Sequence, residues 1–87
     1  MDDEAVRRVG AVVAAIPAGQ VLSYGEVADR AGLRSARLVG RILAESRGLP
    51  WHRVIRADGT PAPLLAARQT ALLRAEGVRL VNGRVVG

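Results

Sequence analysis

The sequence has no cysteine, no lysine and no phenylalanine, and its 87 residues include a single tryptophan, a single tyrosine and a single histidine. Without cysteine there is no disulfide, no thiolate metal site and no cysteine nucleophile. Without lysine, all thirteen basic side chains are arginines, and the net charge of +5 points towards a polyanion such as nucleic acid. A GC-rich coding bias accounts for arginine over lysine, and for the wealth of Ala, Val and Gly, but not for the positive sum. No apolar run approaches the roughly 18 residues of a membrane span. The acidic start Met1-Asp2-Asp3-Glu4 is the opposite of a signal peptide's basic one, so a soluble, cytoplasmic protein with no membrane contact is expected. No repeat, Walker motif, zinc-ligand spacing or dinucleotide fingerprint is present, and neither metal nor cofactor is expected.

What is there is small and aliphatic. Apolar residues make up 49% of the chain but are mostly Ala, Val and Leu, which predicts one domain over residues 1–87 with a modest core of small side chains on helices. Val6, Val9, Val12, Val13 and Ile16 recur at helical spacing behind an acidic first turn, which predicts a helix over 3–15, stopped by Pro17-Ala18-Gly19. Ser23-Tyr24-Gly25-Glu26 reads as a capping box for a short helix to Ala31 that ends at Gly32. Ser35 can cap a second helix carrying Leu38, Val39, Ile42 and Leu43 on one face and ending at Gly48. The pair forms a candidate helix-turn-helix over about 23–46. Arg34, Arg37 and Arg41 lie at or near the N-terminal half of its second helix, where a recognition helix meets DNA. A merely solvated arginine face fits equally well at this point.

Farther along, Val54 and Ile55 suit a short strand, and Ala57-Asp58-Gly59 a turn. A third long helix is expected from Leu64 to Glu76, with Leu65, Leu72 and Leu73 inward and Gly77 as its cap. The tail alternates around Asn82-Gly83, which predicts a hairpin over about 78–86. The fold class expected is therefore mainly α: a small winged helix-turn-helix-like domain of three to four helices with a short C-terminal β-hairpin. The stretch Pro50-Trp51-His52-Arg53-Val54 stands apart, because it places one of two aromatic rings and the only histidine among residues that favour loops and charge. On residue types alone, Trp51 as a core plug and His52 as a satisfied hydrogen-bonder explain it slightly better than a function does.

Five ordered stretches change that balance. Ile16-Pro17-Ala18-Gly19-Gln20-Val21 with Ser23-Tyr24-Gly25-Glu26-Val27-Ala28, then Ala36-Arg37-Leu38-Val39-Gly40, Pro50-Trp51-His52-Arg53-Val54-Ile55 and Leu72-Leu73-Arg74-Ala75-Glu76-Gly77 resemble the DNA-binding domain of O6-alkylguanine-DNA alkyltransferases. The resemblance spans roughly residues 5–77. In the repair enzymes the second position of the Pro-x-His-Arg motif is the alkyl-accepting cysteine; here it is Trp51. That replacement is the mark of the alkyltransferase-like proteins, which recognise alkylated guanine without repairing it.

The resemblance implies a set of roles. Arg37 matches the arginine that fills the place of an extruded nucleotide, and Tyr24 the tyrosine beside that nucleotide's phosphate; Arg34, Ser35, Ala36 and Arg41 complete the DNA-binding set. The lesion pocket is expected on the loop 50–55, from Pro50, Trp51, His52, Arg53 and Val54 together with Tyr24. His52 and Glu76 match the enzymes' activating pair and, with no nucleophile to serve, are expected to form a structural relay rather than a catalytic one. The sequence departs from the family in a shorter link before Pro50 and in Thr60-Pro61-Ala62-Pro63, which replaces the usual pocket-closing loop.

The function implied is non-enzymatic recognition of O6-alkylguanine flipped from duplex DNA through the minor groove, marking it for nucleotide-excision repair proteins. A monomer is expected, because a single lesion has no two-fold symmetry. Three other readings stay open: a sequence-specific winged helix-turn-helix transcription regulator, a hydrolytic enzyme using His52 and Glu76 as acid and base, and an inert remnant.

Overall fold

The computed structural model describes residues 3–86; the acidic Met1-Asp2 start and Gly87 lie outside them. Helix α1 spans Asp3–Ala14. Its Ala5, Val9 and Val13, followed by Ile16, form one buried stripe, whereas Val6 and Val12 flank it half-buried. Strand β1 is only Leu22–Ser23.

Helix α2, Tyr24–Arg30, starts on a complete capping box. The Glu26 amide donates to Ser23 Oγ at 3.1 Å, and the Ser23 amide to the Glu26 carboxylate at 2.9 Å. Its end is equally well defined. Gly32 takes a φ of 73°, its N–H reaches Asp29 O at 3.2 Å, and the Leu33 N–H reaches Ala28 O at 2.8 Å, the paired bonds of a Schellman motif. That turn aims the chain into α3, Ala36–Glu45, whose first turn is capped by Ser35 Oγ. Helices α2 and α3 pack on each other and on α1 through Val27, Ala28, Ala31, Val39 and Ile42. The second helix of this hairpin stops at Glu45 rather than at Gly48, because Ser46 leaves helical geometry and its hydroxyl donates back to Ile42 O at 2.6 Å.

Trp51–Arg53 form a single 3-10 turn, after which Val54–Ile55, strand β2, pair in parallel with β1. The register Leu22 to Val54 and Ser23 to Ile55 anchors the Trp51 turn directly behind the start of α2. The third long helix is shorter than its sequence suggests. Pro63–Leu65 make a 3-10 turn and the α-helix proper, α4, spans Ala66–Ala75. Leu65 leaves helical geometry at φ −117°, ψ 10°, and is 46% exposed instead of facing inward, while Leu64 is 99% exposed. Leu73 is fully buried, in a second apolar cluster with Ile55, Val78 and Leu80.

Helix α4 also ends on a Schellman motif, with Gly77 at φ 86° and the Val78 N–H on Leu73 O at 3.0 Å. Strands β3, Leu80–Val81, and β4, Arg84–Val85, form the antiparallel wing. Asn82 and Gly83 both have positive φ, as a type I′ turn requires. The wing is tied to the turn after β2 by the Val85 N–H on Gly59 O at 2.9 Å. Among the described residues no helix is long and apolar enough to cross a membrane.

A Cβ added at Gly77 would meet nothing within 4 Å, so only the backbone opposes a side chain there. Gly77→Ala is expected to destabilise the fold by about 1–2 kcal/mol, read as a fall in the thermal midpoint. An unchanged midpoint would show that the left-handed cap is not required.

Candidate functional site

The Trp51 turn separates two environments. On one side lies an ion-pair network. Glu76, at the end of α4, accepts from Arg53 through Nε at 3.0 Å and Nη2 at 2.7 Å, and its Oε2 lies 2.9 Å from His52 Nε2. Arg53 Nη1 donates to Ile16 O at 2.8 Å, and the Gly19 N–H donates to Glu76 Oε1 at 3.4 Å. One carboxylate thus joins the exit of α1, the Trp51 turn and the end of α4.

The Arg53 hydrogen bonds hold the Glu76 carboxyl well below its usual 4.5, at about 2; burial opposes them, and the bonds from His52 and Gly19 add to them. Because an ionised carboxylate only accepts, the imidazole donates and its proton sits on Nε2. Gln69, 1% exposed, supports the same turn from beneath. Its amide donates to His52 O at 3.0 Å and Val54 O at 2.7 Å, and its oxygen accepts from the Ala62 N–H at 3.1 Å. No buried side-chain polar atom among the described residues lacks a partner.

On the other side is a cavity of about 280 Å³. Tyr24 and Trp51 wall it, Gly40, Leu43 and Ala44 of α3 contribute one side, and Ala62, Pro63, Leu64 and Leu65 form the lip. Helix α3 passes close to the Tyr24 ring at Gly40, where a Cβ would stand in ordinary van der Waals contact with it at 3.9 Å. Burial raises the Tyr24 phenol above its ordinary value, with Arg56 opposing, so the hydroxyl stays protonated and able to donate. The Arg68 guanidinium sits 5.9 Å from the Trp51 ring centroid, within cation–π range. The His52 ring meets Trp51 edge-on, with centroids 6.1 Å apart.

Of the six residues expected around a lesion, then, Tyr24 and Trp51 line this cavity. His52 and Arg53 turn to Glu76, Pro50 precedes the turn without lining the cavity, and Val54 is fully buried because its β2 pairing with Leu22 directs it into the core. Arg34, Ser35, Ala36, Arg37 and Arg41 are all exposed around the start of α3. Ser35 Oγ is engaged by the Leu38 N–H at 3.3 Å, and Arg41 makes only a loose 3.9 Å pair with Glu45. Helical spacing puts Arg37 on the face of Gly40 and Ala44, at the cavity's edge.

The sequence pointed to Ala62 and Pro63 of the lip, as part of the stretch replacing a pocket-closing loop, but not to Leu64 and Leu65 as lip residues, nor to Arg68 or Gln69. For Gln69 a signal existed: it lies four residues before Leu73, on the inward face of α4, where a polar side chain needs partners. Among the described residues no cluster of His, Asp or Glu could hold a metal ion.

The sequence profile described as "6-O-methylguanine DNA methyltransferase, DNA binding domain" matches residues 4–78. The chain belongs to this family. It is 47% identical over 89 residues to the "DNA base-flipping protein" of Escherichia coli K12, a match covering 94% of this chain and 67% of that one. Its fold superposes with a TM-score of 0.85 and 35% identity on S. pombe Atl1 in complex with damaged DNA containing O6-carboxymethylguanine, over 93% of this chain and 82% of that one. The Mycobacterium tuberculosis O6-methylguanine methyltransferase also matches, with a TM-score of 0.74 and 33% identity, over 94% of this chain and 53% of the enzyme. Within this family the chain carries the cavity and the His-Arg-Glu network but no cysteine.

The network makes a pH-dependent prediction for this family domain. A carboxyl held at about 2 instead of 4.5 stabilises the fold fully above the usual carboxylate range, and that contribution is lost as pH falls from about 4.5 towards 2. Glu76→Gln is expected to lower the thermal midpoint at neutral pH and to flatten its decline over this acid range relative to the unsubstituted chain. Parallel declines would show that Glu76 does not carry the coupling.

Proposed function

We propose that the chain recognises O6-alkylated guanine in duplex DNA, flips it into the Trp51 cavity and performs no alkyl transfer. The observation that carries this reading is the cavity itself: an apolar chamber walled by Trp51 beside an exposed arginine face, Trp51 being the residue that the motif resemblance sets at the family's cysteine position. Alkyl transfer from guanine oxygen needs a nucleophile of thiolate quality, and an indole offers none. His52 and Arg53 are both bonded to Glu76, so the residues that would activate a cysteine here brace the turn instead.

The helix-turn-helix supplies the duplex contact, with the start of α3 and its arginines against the minor-groove backbone. Arg37 enters the stack vacated by the base, where its planar cation can stack and hydrogen-bond the orphaned partner. Tyr24 donates to the neighbouring phosphate. A damaged base pairs poorly and costs less to unstack, so extrusion itself favours the lesion. The names of the E. coli base-flipping protein and of S. pombe Atl1 bound to damaged DNA support the same reading. Because nothing in the chain removes the adduct, its use is to mark it, for hand-over to nucleotide-excision repair. A sequence-specific regulator would need the helix pair and the wing, but not a cavity between α3 and the Trp51 turn.

Binding measured by fluorescence anisotropy on matched duplexes tests the proposal. An O6-methylguanine duplex is expected to bind at least about tenfold tighter than a guanine duplex, in line with the ~1–3 kcal/mol that one base–aromatic contact supplies. Arg37→Ala should remove most of that preference while weakening guanine-duplex binding less. Equal losses on both duplexes would refute the finger role. Added salt is expected to weaken both duplexes alike, because phosphate contacts carry the common part.

A further inference from the structure

The lip of the cavity bears on which adducts it accepts. After the turn at Gly59, the chain runs Thr60-Pro61-Ala62-Pro63-Leu64-Leu65, two prolines stiffening a segment whose last two side chains project as apolar groups. Leu64 is 99% exposed and Leu65 46%, so the mouth of the cavity is hydrocarbon presented to water without a covering partner. Opposite them are Leu43, Ala44 and Trp51. No charged or amide side chain lines the space, and the only polar groups on its lining side chains are the Tyr24 hydroxyl and the Trp51 indole N–H. Two arginines border the site without lining it: Arg68 is stacked against the Trp51 ring, and Arg37 lies exposed at the edge, where the proposed role takes it into the base stack.

We infer that the cavity selects O6-adducts that are uncharged, alkyl or aryl, and rejects adducts that end in a carboxylate. The inference rests on the flipped-base reading above and narrows it to a substrate class. An ionised carboxylate loses its hydration on entering an apolar chamber and recovers it only against a matched cation or several donors. One phenol hydroxyl and one indole N–H, both neutral, do not supply that. A branched alkyl group of the same shape loses nothing and buries its surface against Leu43, Trp51 and the lip. S. pombe Atl1, found with O6-carboxymethylguanine in its DNA, provides the contrasting case within the family.

The test uses the full chain and four matched duplexes that differ at one base: guanine, O6-methylguanine, O6-isobutylguanine and O6-carboxymethylguanine. The last two carry adducts with the same number of heavy atoms and the same branching, so their comparison isolates charge. The isobutyl duplex is expected to bind at least about tenfold tighter than the carboxymethyl one. Leu64→Arg, at a position too exposed to disturb folding, should narrow the isobutyl-to-carboxymethyl ratio, because it sets a cation at the mouth and removes apolar surface from the lip. Any gain from phosphate attraction is common to all four duplexes. Equal or tighter binding of the carboxymethyl duplex overturns the inference, and loss of that binding in Arg68→Ala would identify the cation responsible. A preference for O6-methylguanine over guanine accompanying such equality would leave base recognition standing. No preference for any alkylated duplex would overturn both.

Discussion

The Glu76 carboxylate is the fixed point of this molecule. Two turns that are remote in sequence, the exit of α1 at Ile16 to Gly19 and the 3-10 turn at Trp51 to Arg53, are both tied by it to the end of α4. The arrangement resists substitution by half. Removing the carboxylate takes the partner from His52 Nε2 and leaves Arg53 only the Ile16 carbonyl; removing Arg53 takes that donor from the Ile16 carbonyl and leaves the carboxylate only His52 and the Gly19 N–H, so each loss leaves partly buried polar groups under-satisfied. The same constraint decides where Trp51 points. With His52 and Arg53 held on the network side and Gln69 clamping the carbonyls of His52 and Val54, the indole is left to face the cavity.

The cavity is assembled from three parts of the chain that do not form one another. Helix α3 sets one wall, with Arg37 exposed at its edge; β1 and β2 fix the Trp51 turn behind α2; the proline-stiffened lip closes the third side. Each part has a local cause. The Gly32 and Ser35 caps orient α3, the four-residue parallel pairing sets the height of Trp51, and the break at Leu65 sends Leu64 outward instead of into α4. Recognition as read here is a property of this convergence, with chemistry left out: an arginine face for phosphates, a planar cation for the vacated stack, and an apolar chamber for the base and its adduct.

Local signals with a single mechanical meaning were legible in the residues. Ser23 with Glu26, Ser35, Gly32, Gly77 and Asn82-Gly83 each prescribe one cap or turn, and each is found in that geometry. Those prescriptions, with the valine stripe of α1, give the helix order and the wing. The parallel strands β1 and β2 were not legible as a pair, because two residues show no periodicity and their partners lie 32 positions apart. Leu65 misled for a related reason: the apolar run Leu64-Leu65-Ala66-Ala67 suits a helix, but the prolines before it impose a 3-10 turn first. In the site, the family motif pointed to Tyr24, Trp51, His52, Arg53 and Glu76 but treated the 50–54 loop as one surface. The structure divides it, one face to the network and one to the cavity, because a 3-10 turn places successive side chains about a third of a revolution apart. Arg68 gave no signal, since an exposed arginine on a helix is ordinary until the ring beside it is seen.

The account stands or falls on whether the altered base comes to Trp51. The chain has one tryptophan, so its emission reports that wall of the cavity alone. Titrating the protein with a duplex containing O6-methylguanine and with its guanine counterpart, at physiological salt, separates DNA contact from base entry. The account predicts a change in Trp51 emission that saturates with binding of the alkylated duplex and is absent when the guanine duplex binds. Binding of both duplexes with the same emission, changed or unchanged, would contradict it, leaving a DNA-binding domain whose cavity the lesion never enters.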